Sequence, residues 1–155
     1  MGHVAGSELD GRTIPYDASL EGLVSKKKDF IGKRSLNRSA FTSTDREKLV
    51  GVVPIDKTTS IPEGSYIVKD PKAKLPNPKL GHVSASCWSV EYDNPFSLAI
   101  IKDGKNMIGQ KLFAMSPLKN KTIPVEIVSS HYVDPEGKRV RSVSYTHLRA
   151  HETVV

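Results

Sequence analysis

His147 and His151 lie four residues apart, a spacing that puts both imidazoles on one helix face and could chelate a metal. Two ligands alone do not make a metal centre, and the sequence supplies no third at a fitting spacing. A second candidate is the basic cluster Lys26, Lys27, Lys28, Lys33, Arg34 and Arg38. Its charge suits phosphate or nucleic acid, but no aromatic residues interleave with it to stack bases, so a solvated face is expected. Cys87 has no basic neighbour in its own segment, with His82 five residues back, and an inert buried thiol is expected rather than a nucleophile. Adjacent Trp88 is expected to pack against a core. Glu8 and Asp10 could pair as carboxylates, but a turn around Asp10-Gly11 leaves them solvated. Gly104 and Gly109 bracket a turn, not a phosphate-binding loop. No catalytic constellation is present in the sequence.

The elements that must position these residues are short. With 155 residues the chain is the size of one domain, and 37% hydrophobic residues with 6% aromatics make its core aliphatic. Asp29 stands where a helix N-cap would, ahead of Phe30, Ile31, Arg34 and Leu36, which predicts a short helix burying Phe30 and Ile31. Residues 39–45 read as a polar connector. Beyond it, residues 48–54, 65–69, 82–89, 96–102, 111–115 and 123–129 read as six strands, the fourth buried on both faces. Three prolines in residues 71–78 mark an exposed loop or edge, residues 117–121 a hairpin, and Asp134-Pro135-Glu136-Gly137 a closing turn. The fold class is mainly β, a small antiparallel barrel preceded by a short helical or loop segment.

A net charge of +6 favours an anionic ligand or partner without reaching the density of a nucleic-acid arm. The lone cysteine fits a reducing compartment, and no stretch has the length of a membrane span, so a cytoplasmic protein without membrane or nucleic-acid partners is expected. A basic RNA-binding barrel is the alternative that charge and strand count alone suggest.

Several runs carry a family resemblance. Asp29-Phe30-Ile31-Gly32-Lys33-Arg34-Ser35-Leu36, Lys48-Leu49-Val50-Gly51, Leu80-Gly81-His82-Val83-Ser84 and Ser97-Leu98-Ala99-Ile100 resemble, in order and spacing, the C-terminal part of the glycine cleavage T-protein (aminomethyltransferase) superfamily. The insertion at residues 71–78, Cys87-Trp88-Ser89 and the close at Tyr132-Val133-Asp134 are most similar to the branch formed by alpha subunits of heterotetrameric sarcosine oxidases. Dimethylglycine dehydrogenases and the aminomethyltransferases themselves are the neighbouring branches.

The resemblance implies that residues 1–45 end a central folate-binding domain with its linker, and that residues 46–141 form the C-terminal β-barrel. It implies a parent enzyme that oxidatively demethylates sarcosine to glycine and passes the one-carbon unit to tetrahydrofolate. The parent's FAD or FMN and NAD would be bound outside this chain, its catalytic residues would lie upstream, and its beta, gamma and delta subunits would be the partners. Within the chain, Trp88 and Tyr132 are the expected cofactor-facing residues, because aromatic faces at strand ends suit a flat pterin. Asn94-Pro95-Phe96 stands where many relatives carry an arginine, so no polar role carries over there. Residues 144–153 instead resemble a translated sequencing adapter, and residues 142–155 are expected to be a non-native tail.

Overall fold

The computed structural model describes residues 11–73 and 78–141, so Glu8, Asp10, His147 and His151 lie outside the described residues. Six strands close into an antiparallel barrel: β1 (Glu47–Pro54), β2 (Tyr66–Val68), β3 (Gly81–Ser89), β4 (Asn94–Lys102), β5 (Lys111–Ser116) and β6 (Lys121–Val128). Around the barrel they run β1-β4-β3-β2-β5-β6, with β1 pairing both β4 and β6 to close the ring. Every predicted strand is present, and β2 is shorter than its apolar run.

The period-two alternation of strands fills the interior. On β6, Ile123, Val125 and Ile127 point inward while Thr122, Pro124 and Glu126 face out; Leu112 and Ala114 do the same on β5. Val50, Val52, Val83, Ala99, Ile101, Ile61 and Ile67 complete an aliphatic core. β4 is buried on nearly its whole length, as its continuous apolar run predicts. The β5–β6 connection is the predicted hairpin, and the Gly137 amide donates to the Asp134 carbonyl at 2.9 Å, closing the predicted turn.

Ahead of the barrel the expectation of a helix fails. Residues 29–36 form turns and a single 3-10 turn, Ser35–Asn37, followed by the one-turn helix α1 (Ser39–Thr42). Gly32 adopts φ +93°, which a right-handed helix cannot contain, and among the described residues no layer lies against the apolar face. Phe30 and Ile31 are consequently exposed. Cys87 is exposed too, against the expectation of a buried thiol, and Trp88 is 50% exposed where a packed ring was expected. Both sit on the part of β3 that overhangs the barrel.

Close backbone approach sets the register at Gly81. A Cβ on Gly81 would stand 1.9 Å from the Ile100 carbonyl oxygen and 2.8 Å from the Ile101 Cα. Neither atom can yield without moving β4, so Gly81→Ala is expected to cost about 3 kcal/mol or more in denaturant unfolding. Gly22→Ala, where nothing lies within 4 Å, should stay within roughly 0.5 kcal/mol of the parent. Equal effects at the two positions would contradict this assignment of register.

Candidate functional site

The segment before the barrel meets it around one buried carboxylate. Asp17 is only 5% exposed, and its oxygens accept from the Arg46 Nε at 3.1 and 3.2 Å and from the Lys48 Nζ at 2.8 Å. The Arg46 Nη2 makes a further short contact with it, and the Ile14 amide donates to it at 3.2 Å. The same guanidinium donates to the Ala40 and Arg12 carbonyls at 3.1 and 2.9 Å and lies over the Phe41 ring. The Leu49 amide donates to the Asp17 carbonyl at 2.7 Å, and the Ser19 hydroxyl to the Leu49 carbonyl at 3.2 Å. Residues 12–24 thus form a strap laid on β1.

Between this strap and the barrel lies an open cleft of about 220 Å³. Its floor is Leu49 and Val50, and its polar rim is Glu21, Lys105, His131 and the hydroxyls of Ser19 and Ser129. Lys105, on the 3-10 turn Gly104–Met107, donates to Glu21 at 2.7 Å. Burial works to raise the Glu21 pKa, but the Lys105 hydrogen bond, with the charges of Lys105 and His131, holds it below its ordinary value. Nothing in the sequence pairs Glu21 with a lysine 84 residues away, and these rim residues were not legible beforehand. The described residues contain no group of three or more potential metal ligands.

The second feature is the overhang of β3 and β4, a hairpin arm that leaves the barrel. Trp88 pairs with Pro95 and Cys87 with Phe96, so Trp88 and Phe96 point to opposite faces. Trp88 continues the face of Ser86 and Ser97, whose hydroxyls meet 2.9 Å apart at the barrel wall. On the other face Tyr132 stacks on Phe96 with centroids 4.8 Å apart and meets Tyr92 at 4.7 Å. The Asn94 amide donates to the Tyr132 hydroxyl at 3.2 Å, and Arg139, on the closing turn of helix α2 (Lys138–Arg141), donates to Glu91 at 2.6 Å. The arm therefore separates the two aromatic residues singled out from sequence, and neither lines the cleft.

The cleft is small for a folate. The cleft falls below the roughly 300 Å³ at which small-molecule pockets begin, and Tyr132 is committed to its neighbours. This cleft is too small to enclose a folate, and of the two aromatic residues Trp88 is the more exposed.

The glycine cleavage T-protein C-terminal barrel domain family matches residues 47–134, the whole barrel with the arm, and the chain belongs to that family. Its more particular likeness is to sarcosine oxidase subunit alpha: 35% identity over 141 residues with that of Rhizobium meliloti (strain 1021), covering 90% of this chain. Against the Corynebacterium sp. (strain P-1) subunit the identity is 36% over 138 residues. The chain spans 14% of the length of each of these relatives. An aminomethyltransferase of Thermosipho melanesiensis is 27% identical over 123 residues, 79% of this chain and 31% of that protein. In fold, the barrel is similar to glycine cleavage system aminomethyltransferase T from Bartonella henselae, with a TM-score of 0.57 at 22% identity, covering 78% of this chain and 32% of that one. No helix among the described residues is long and apolar enough to cross a membrane.

Asp17 gives the sharpest test. Burial alone would raise its pKa; the hydrogen bonds from Arg46, Lys48 and the Ile14 amide, with the Lys48 charge, outweigh that and hold it below the ordinary 3.8. A carboxylate depressed in the folded state adds stability above its unfolded pKa, and that increment is lost as pH falls through the folded value. Asp17→Asn is expected to cost about 2–3 kcal/mol at neutral pH, and to flatten the stability loss below about pH 4. A variant as stable as the parent, or one with an unchanged acid profile, would contradict the role given to the clamp.

Proposed function

We propose that the chain is the C-terminal, folate-side barrel of a sarcosine oxidase alpha subunit. The observation that carries this reading is that the likeness to those subunits runs beyond the barrel domain into the strap, over nine-tenths of the chain. In this reading residues 1–45 end a folate-binding domain, residues 46–141 are the barrel, and residues 142–155 are foreign to the parent. The parent oxidises the methyl group of sarcosine, releases glycine, and hands the one-carbon unit to tetrahydrofolate as the methylene form. Its flavin and NAD chemistry takes place on other parts of a cytoplasmic assembly with beta, gamma and delta subunits.

Within that assembly this chain contributes a wall and not a reaction centre. Trp88, at the mouth of the barrel, lays its exposed face along the pterin and excludes water from one side of it. Tyr132 acts behind the wall, through Phe96, Tyr92 and Asn94, by fixing the angle of the arm. The +6 charge of the chain favours the glutamate carboxylates of folate over long range.

The reading is tested in the complete protein by following where the one-carbon unit goes. Trp88→Ala should leave sarcosine consumption within about twofold, while the fraction trapped as methylene-tetrahydrofolate falls roughly tenfold and free formaldehyde rises. An unchanged partition, or an equal loss of sarcosine oxidation, would overturn the placement of Trp88.

A further inference from the structure

The end of the strap and the loop that follows it present apolar side chains that the described residues leave bare. Ile31 is 104% exposed and Leu23 81% exposed, and Phe30, next to Ile31 in sequence, is also exposed. The loop that carries Phe30 and Ile31 is nevertheless built to hold a shape. The Lys33 Nζ donates to the Lys28 carbonyl at 2.8 Å and to the Lys26 carbonyl at 3.4 Å, drawing the loop shut. The Ser25 hydroxyl accepts from the Lys28 amide at 2.9 Å, and the turn at Phe30 closes with the Lys33 amide on the Phe30 carbonyl at 3.2 Å. Gly32 at φ +93° makes that turn possible. A lysine satisfied by two carbonyls spends its donors on order inside the loop, and the result is an ordered apex that displays an isoleucine to water.

Charge says what such an apex meets. From residue 25 to residue 38 there are six cations, Lys26, Lys27, Lys28, Lys33, Arg34 and Arg38, against the single anion Asp29. Among the described residues none of the six is paired with a carboxylate. An ordered apolar apex ringed by unneutralised cations is complementary to a surface with an apolar hollow and an acidic rim. Length says where that surface is. The chain spans 14% of its sarcosine oxidase relatives, it matches a family domain described as C-terminal, and the loop stands on the N-terminal side of that domain.

We propose that residues 20–38 are a docking face, filled in the longer protein by an acidic, apolar-lined surface of the polypeptide that precedes this chain. The proposal rests on the reading of the chain as the C-terminal part of a longer subunit. Phe30 and Ile31 are the anchors, the cations set orientation, and the Asp17 clamp carries the docked face into register with the barrel.

The same lysines make the face readable by trypsin. The 155-residue chain and the complete alpha subunit, alone and assembled with its partners, are digested, and cleavage after Lys26, Lys27 and Lys28 is timed against cleavage after Lys119. Lys119 is an exposed residue of the β5–β6 hairpin and serves as the internal reference. The expected result is cleavage at the three lysines at least tenfold slower in the isolated subunit than in the 155-residue chain. Ile31→Asp should restore fast cleavage in the subunit without altering the rate at Lys119; if Lys119 also becomes labile, Ile31→Ala is read instead. Equal rates in chain and subunit overturn the proposal, as does protection that appears only after the partner subunits are added. Absence of protection in a subunit that still captures the one-carbon unit refutes the docking face alone. Protection in a subunit without folate-linked capture leaves the docking face standing and removes the enzymatic reading.

Discussion

One buried carboxylate decides how this molecule is put together. Asp17 gathers Arg46, Lys48 and the Ile14 amide, and through Arg46 it reaches the carbonyls of Arg12 and Ala40 as well. A closed barrel has no edge strand on which a preceding segment could pair, so contact between the two must come from side chains and single amides. The clamp supplies that contact at the first residues of β1. It fixes the strap, the strap forms one wall of the cleft, and Glu21 is thereby brought to Lys105. Beside it the strap meets the barrel through the Leu49 amide, the Ser19 hydroxyl and the more exposed Glu21–Lys105 pair.

The other organising feature is the way the hairpin arm leaves the barrel. Gly51 lacks the Cβ that would collide with the Phe96 ring at 2.7 Å and the Ser129 carbonyl at 2.5 Å. The chain after β6 can therefore lie close against β1, and Tyr132 reaches the ring of Phe96. One face of the arm is consumed by this aromatic packing, and the opposite face keeps Trp88 half exposed at the barrel mouth. Packing takes one side of these two strands and leaves the other open to solvent at Trp88.

The strands were legible because alternation and β-branching report local geometry; residues 123–127 show it plainly, with inward and outward side chains taking turns. The residues 29–36 misled for the converse reason. Their apolar spacing is that of a buried helix face, but burial needs a second surface, and none of the described residues supplies one. Cys87 and Trp88 read as barrel residues because a sequence does not announce where a strand outruns its neighbours. Asp17 carries no local sign of its role: its partners lie 29 and 31 residues away, beyond the reach of any local pattern. The family, in contrast, was legible from four short runs, and the match to the C-terminal barrel domain agrees with it.

The function proposed above makes this chain one wall of a folate site completed by other polypeptide, a proposal that rests on the barrel family and the small cleft. Calorimetric titration with tetrahydrofolate tests this most directly, on the 155-residue chain and on the complete alpha subunit in parallel. The expected result is no saturable binding to the chain and stoichiometric binding to the subunit. Stoichiometric binding to the chain by itself would contradict it.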